Sequence, residues 1–399
     1  MSKTQLSPNH ELAGRAAELI ALRRDFHRHP EVGFEERRTA EIIAARLAHV
    51  GLEVTTGIAQ TGVVGVLHGD RPGRTIAWRA DIDALPIHEA ADVPFASEKR
   101  GVMHACGHDG HTAIALTVAE LLAKRRAELP GTVVFVFQPA EEIFAGARPM
   151  LAAGVLDDPR CDEVYGLHLS ADLPLGRVAA RPGPAMASAD FFELIVRGQG
   201  GHGASPHQTI DPITAAAHIL IGLQDLVAKE LSARETAVLS VGQLSAGTAA
   251  NTIPDHAVMR GTLRTLSSTA REQLLERLRV FSNQLALAYR AEANLHVNER
   301  CCPPLVNHDQ QAAFVHRCAD AELGEGAFID GEPVMASDDM SLFLEARPGC
   351  YFRVGAAPAD KPASPHHSPS FEIDEASLTI GARLATAVLL QALAPLAPA

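Results

Sequence analysis

The 399-residue chain is 47% hydrophobic and 21% charged, which are the proportions of a folded globular protein and not of a disordered or fibrous one. Its length suits two domains, or one domain with a large insertion. The formal charge of -13, with no basic cluster to offset it, argues against nucleic-acid and membrane partners.

The N-terminal stretch MSKTQLSPNHELAGRAAELI has no apolar run of the signal-peptide kind, so a cytoplasmic location is expected. Amphipathic periodicity predicts a helix over 12–29, ended by Pro30, and a second over 36–49, ended by Gly51. Three buried strands are expected at TIAWRA (75–80), TVVFVFQ (132–138) and EVYGLHL (163–169), with a helix over 112–126 between the first two. Strands alternating with helices imply a mostly parallel α/β sheet. From Ala185 the pattern changes to a strand (ADFFELIVRG), a helix capped by Asp211 with Pro212 in its first turn, two strands, a helix over 268–290 and a last strand. This reads as a smaller α+β domain over 185–299, inserted into a discontinuous domain of 1–184 and 300–399. The apolar stretch 384–399 carries Gln391 and two prolines, and is expected to be a packed helix and a tail, not a membrane span.

The chemistry-bearing residues follow the strands. TIAWRA runs into Asp81 and Asp83, TVVFVFQ runs through Pro139 into Glu141 and Glu142, and EVYGLHL carries His168. Ligands of open α/β sheets sit outside the carboxyl ends of the strands, so these groups should share one rim. The loop MHACGHDGHTA (103–113), expected just before its helix, adds Cys106, His108 and His111. Thiolate and imidazole are favoured ligands of zinc and neighbouring transition metals. Of two adjacent glutamates, one can bind metal while the other accepts a proton from the attacking water. PHHSP adds His366 and His367 near the C-terminus.

Six cysteines (Cys106, Cys161, Cys301, Cys302, Cys318 and Cys350) lack the spacing of a disulfide framework, and the five besides Cys106 are expected to be structural. Of the 19 histidines, His10, His49, His68, His218, His256, His296, His308 and His316 lack acidic or motif context and are expected to bind nothing. Gly198, Gly200 and Gly203 form a G-x-G-x-x-G after a strand, but Pro206 follows at once, so nucleotide binding is not expected.

These residues resemble the M20 metallopeptidase and amidohydrolase family, in particular its aminoacylase branch with hippurate hydrolases and plant hydrolases of indole-acetyl amino acids. The resemblance is carried by DFHRHPEVGFEE (25–36), WRADIDALP (78–86), MHACGHDGHTA, VFQPAEE (136–142), GLHL (166–169), GGHGASPH (200–207), NTIPD (251–255), ASDDMSLFLE (336–345) and HHSP (366–369). It implies a two-metal site held by Cys106, His108, Glu142, His168 and His367, with His366 as the alternative to His367. Zinc or manganese is expected, and cobalt or nickel are further choices. Glu141 is implied as general base. Arg79 stands where other branches have a metal-binding histidine, which leaves Asp81 a supporting role.

The same resemblance makes the inserted domain a lid and dimerisation domain. His202 would stabilise the oxyanion, from a partner subunit of a homodimer, and Asn251 would hold the substrate carboxylate. The expected reaction is hydrolysis of N-acyl amino acids, with a dipeptidase or aminoacyl-dipeptide deacylase as the alternative. Two further readings compete: Cys106 as nucleophile with His108 or His111 as base, and a non-catalytic metal- or ligand-binding protein.

Overall fold

The structure, a computed structural model, describes residues 8–359, 362 and 364–394. The leader reading of the first residues and the expected tail therefore lie partly outside the described residues. The chain divides into two compact units.

One unit comprises Met1–Gly183, Val306–Glu332 and Leu342–Ala399. Its eight-stranded sheet runs in the order Glu53–Ile58, Gly62–His68, Pro130–Gln138, Arg71–Asp81, Glu163–Pro174, Gly349–Ala357, Val178–Ala180 and Phe328–Asp330. The three strands expected from the sequence are neighbours, and with Gly349–Ala357 they form the parallel centre of the sheet. The hairpin Glu53–Ile58/Gly62–His68 adds antiparallel pairing at one side. From Val133 to Phe137 no residue exceeds 1% exposure, so this strand is covered on both faces, which explains its unbroken apolar run.

The helix His108–Ala123 is buried from His108 to Leu122, the pattern of a core helix. Here the structure corrects the reading of 103–113 as a loop before its helix. The helix begins at His108, so His108, Asp109 and His111 belong to its first turn. Gly107 at the cap has φ +89°, a left-handed conformation that favours glycine. Asp109 in the first turn complements the helix dipole.

The other unit comprises Pro184–Leu305 and Pro333–Ser341. Its four-stranded antiparallel sheet has the order Ala237–Ala246, His256–Thr265, Asp190–Arg197, Glu292–Val297. Helices Pro212–Glu230 and Ser268–Ala288 pack on it through Ile219, Leu223, Leu274 and Leu278 against Leu194, Val196, Met259 and Leu263. Asp211 caps the first helix by accepting from the Ile213 amide at 2.9 Å. Residues 333–341, which the sequence reading leaves with the flanking part, lie with this unit. A parallel bridge joins Met186 to Val334, and Arg264 donates to the Met335 carbonyl (2.9 Å) and Ser337 Oγ (3.0 Å).

Candidate metal centre

Strand register sets the level of the site. Asp81 and Gln138 pair at the ends of their strands, and Arg79 pairs with Gly166 on the other side. Two residues further along, His168 stands level with Asp81, although its own strand continues to Pro174. Beyond Gln138 the chain turns sharply, with Ala140 at φ +53° and Phe144 at φ +48°. These are left-handed conformations that cost non-glycine residues free energy and concentrate at functional sites. Between them lie Glu141 and Glu142.

Metal-capable atoms converge here in overlapping sets, each within 4.8 Å: Cys106, His108 and His168; Cys106, Glu142 and His367; His108, Glu141 and Glu142. All five ligands implied by the resemblance are thus brought together, with Glu141 beside them. Hydrogen bonds fix which imidazole nitrogen faces inward. His108 Nδ1 lies 3.0 Å from the Asp83 carbonyl and donates to it, which leaves Nε2 with its lone pair 3.8 Å from Glu142 Oε1 and 4.0 Å from Glu141 Oε2. His168 Nδ1 likewise donates to the Leu169 carbonyl at 2.9 Å, and its Nε2 lies 3.5 Å from Cys106 Sγ. His367 Nε2 is 3.2 Å from Glu142 Oε2 and its backbone has φ +64°. His366 Nδ1 is also near Cys106, at 3.7 Å, but its Nε2 accepts from the Ala171 amide at 3.4 Å.

Glu142 Oε1 is buried without a hydrogen-bond partner. An unsatisfied carboxylate oxygen is costly in a protein interior, and a cation bound beside it removes that cost. The electrostatics agree. Burial alone would lower the His108 pKa, but Asp81 and Asp83 hold it well above the ordinary value. Cys106 and Glu142 raise His367 to about 10. Burial pushes the Cys106 thiol up, and Glu142 adds to this. Positive charge is therefore favoured at His108 and His367, where a divalent cation would displace the protons that otherwise supply it, whereas burial and then His111 and His366 push His168 well below the ordinary value. Thiolate, imidazole and carboxylate are a fitting donor set for zinc or its transition-metal neighbours.

Asp81 serves differently. His111 Nδ1 and Arg79 Nη1 each approach a separate oxygen of its buried carboxylate at 2.6 Å. Burial would raise its pKa, but His108, His111 and Arg79 keep it well below the usual range. His111 spends Nδ1 on Asp81 and accepts the Leu169 amide on Nε2 at 2.9 Å, so neither nitrogen is free for a thiol or a metal. That geometry disfavours His111 as the base of a cysteine nucleophile.

The sequence reading left Asp83 without a task. Its carboxylate receives the Glu142 amide on one oxygen (3.0 Å) and faces His108 Nδ1 with the other (3.3 Å). The D-x-D spacing, with Asp81 closing a strand and Asp83 just beyond it, is the available signal. In the second unit, His202 and Asn251 come together on the short ladder Gly201–His202/Thr252–Ile253, where Thr252 pairs with His202. Both are exposed. His202 Nδ1 accepts the Ala204 amide at 3.0 Å, which leaves Nε2 as the ring's donor.

The chain is similar to known proteins over most of its length. Residues 77–391 match the profile described as peptidase family M20/M25/M40. The chain is 41% identical to the N-acetylcysteine deacetylase of Bacillus subtilis (strain 168), over 92% of this chain and 94% of that one. It is 38% identical to the IAA-amino acid hydrolase ILR1-like 2 of Arabidopsis thaliana, over 94% and 84% of the two chains. Among solved structures, the Bacillus subtilis YXEP protein, described as a dinuclear metal binding peptidase from the M20 family, superposes with TM-score 0.82 at 38% identity, covering 96% of this chain and 99% of that one. With this fold and this set of side chains, the chain belongs to peptidase family M20/M25/M40 and is a hydrolase of amide bonds.

Proposed function

We propose that the protein hydrolyses the amide bond of N-acyl amino acids, releasing a carboxylic acid and a free amino acid. The observation that carries this reading is the pair Glu141–Glu142 among the donor atoms: Glu142 has a bare buried oxygen, and Glu141 Oε2 stands beside it, 4.0 Å from His108 Nε2. Cys106, His108, Glu142, His168 and His367 would hold two divalent cations, zinc or manganese by preference, cobalt or nickel otherwise. Such a pair supplies Lewis acidity toward the acyl carbonyl and makes water acidic enough to attack near neutral pH.

The chain's own residues do the rest. Glu141 takes a proton from the attacking water and returns it to the leaving amine. Asp83 holds His108 with its ring turned inward, and Asp81, paired with Arg79 and hydrogen-bonded to His111, fixes the first turn of the helix behind it. His202, whose Nε2 is the donor, fits stabilisation of an oxyanion, and Asn251 fits binding of the substrate carboxylate. In this reading residues 185–299 form the lid and dimerisation domain of a homodimer. A cytoplasmic location accords with six free cysteines, one of them a required thiolate.

The test uses metal-stripped protein, a panel of N-acyl amino acids that includes N-acetyl-L-cysteine and N-benzoylglycine, and added zinc or manganese. Metal-restored release of amino acid is expected. Glu141→Gln should keep its metal and lose about 10²-fold or more in turnover. The peptidase description of YXEP favours a second reading, a dipeptidase. Dipeptides in the same panel decide it, since hydrolysis of these alone would replace the acyl-amino-acid reading.

A further inference from the structure

The motif DFHRHPEVGFEE has no part in the chemistry above, yet its second half is built against the turn that carries Glu141. The segment between helices Pro8–Arg28 and Arg37–His49 runs beside the end of the Arg71–Asp81 strand. Val32 bridges Ala84, and the Ala84 amide donates to the Glu31 carbonyl at 2.8 Å. Gly33 then meets Ala140 so closely that a Cβ there would stand 3.0 Å from both Cα and Cβ of Ala140. Glu36, fully buried, closes the contact. Its Oε1 accepts the Ala140 amide at 2.9 Å, and its Oε2 accepts the Thr61 hydroxyl at 2.6 Å.

Ala140 needs such a clamp. It sits at φ +53° without being glycine, immediately before Glu141, and a strained conformation persists only where its surroundings over-determine it. The rest of the turn is held elsewhere: the Glu141 carbonyl accepts the Phe144 amide at 2.8 Å, Asp83 holds the Glu142 amide, and the Ala140 carbonyl accepts the Ala145 amide at 3.0 Å. Without Glu36 the Ala140 amide would be buried and unpaired, and the backbone could relieve both faults by turning over, carrying Glu141 with it.

We propose that Glu36 is a positioning residue for Glu141, clamping the Ala140 turn from the far side of the sheet end with Gly33 as the matching recess. The inference rests on the proposed role of Glu141 as base. Burial and the neighbouring Asp83 push the Glu36 carboxyl up to about 7, so its neutral form is present near neutrality. Glutamine is then a faithful replacement, since its carbonyl can accept the Ala140 amide and its amide can donate to the Thr61 hydroxyl.

The experiment compares Glu36→Ala, Glu36→Gln, Gly33→Ala and Glu141→Gln. It measures metal content, kcat and KM on the fastest-cleaved panel substrate, and amide hydrogen exchange over 138–146. For Glu36→Ala, kcat should fall about tenfold to a hundredfold with metal content unchanged and KM nearly so. Exchange at Ala140 should rise about tenfold. Glu36→Gln should restore both. If Glu36→Ala does not fold, Gly33→Ala carries the test, and the same loss of kcat with faster exchange is expected.

Wild-type kcat and exchange in Glu36→Ala or Gly33→Ala would overturn the inference, as would a loss that follows metal content or that Glu36→Gln fails to rescue. An inactive Glu141→Gln beside a normal Glu36→Ala sinks the positioning inference alone. A fully active Glu141→Gln sinks the base reading, and exchange still decides whether the clamp exists.

Discussion

Behind the metal-capable groups, helix Pro8–Arg28 is joined to the first turn of helix His108–Ala123 by a buried ion pair, and breaking it should cost much of the unit's stability. Arg23 Nε meets Asp109 Oδ2 at 2.6 Å, with side-chain exposures of only 2% and 0%. His27 Nδ1 approaches the same oxygen at 2.8 Å, while Asp109 Oδ1 has no partner. Arg23→Met keeps much of the apolar stem but leaves the carboxylate with His27 alone. Removing one partner of a buried pair typically costs about 3–5 kcal/mol. In the background Asp109→Asn the same change should cost less, with a coupling of about 1–3 kcal/mol.

The pH dependence has a definite sign. Burial would raise the Asp109 pKa, but Arg23 and then His27 hold it far below the ordinary carboxylate value of 3.8. The folded state therefore binds fewer protons than the unfolded state in acid. The stabilisation is present above the unfolded pKa and fades as pH falls below it, so the gap between wild type and Arg23→Met should narrow below about pH 4. Urea unfolding followed by tryptophan fluorescence is the assay. The chain's one tryptophan, Trp78, lies in the central sheet of the same unit at 1% exposure, so the signal reports this unit. A loss under about 1 kcal/mol, or equal losses in both backgrounds, would refute the assignment of the charge to this pair.

Three further outcomes are expected. Glu36 has its pKa raised from 4.5 to about 7, so its contribution is full below the unfolded value and is lost as pH rises through 7. Wild type should therefore lose about 3 kcal/mol relative to Glu36→Gln between pH 4.5 and 8, and parallel pH profiles of the two would contradict this. A methyl group at Gly146 would stand 1.7 Å from the Pro139 carbonyl oxygen, so Gly146→Ala should displace the glutamate turn, lowering stability by about 1–3 kcal/mol and abolishing turnover. Wild-type thermal stability and turnover would show that the turn yields freely. Cys106→Ala removes the thiolate shared by two of the donor sets, so metal content by mass spectrometry should drop by at least one ion per chain; full retention would remove Cys106 from the ligand set.

How much of this could be read from the sequence depended on whether the information was local. Glu141, Glu142 and His168 follow or end the apolar runs at 132–138 and 163–169, which mark buried strands, while Cys106 and His108 stand in a Gly-flanked run before a helix and His367 in a Pro-flanked one, so residue types able to bind metal are visible in short runs of unusual composition. The edge strand Glu53–Ile58, mostly exposed, had no such run and went unread. The glycines and charges around His108 mask a helix start, which only the left-handed Gly107 and the burial of the whole turn account for.

The residues that hold the site in place carry no local mark at all. Glu36 reaches Ala140 across 104 positions, and Arg23 reaches Asp109 across 86. Each would read as an ordinary charged residue on a helix, where the expected state is solvated. What distinguishes them is that folding buries them, and a buried charge must find its partner wherever the topology brings one. A motif therefore reveals which atoms can do chemistry, while the groups that aim those atoms are legible only once the chain is closed. By that logic a buried, unassigned carboxylate facing a strained turn, as at Glu36, is the first place to look for residues on which the catalytic geometry depends.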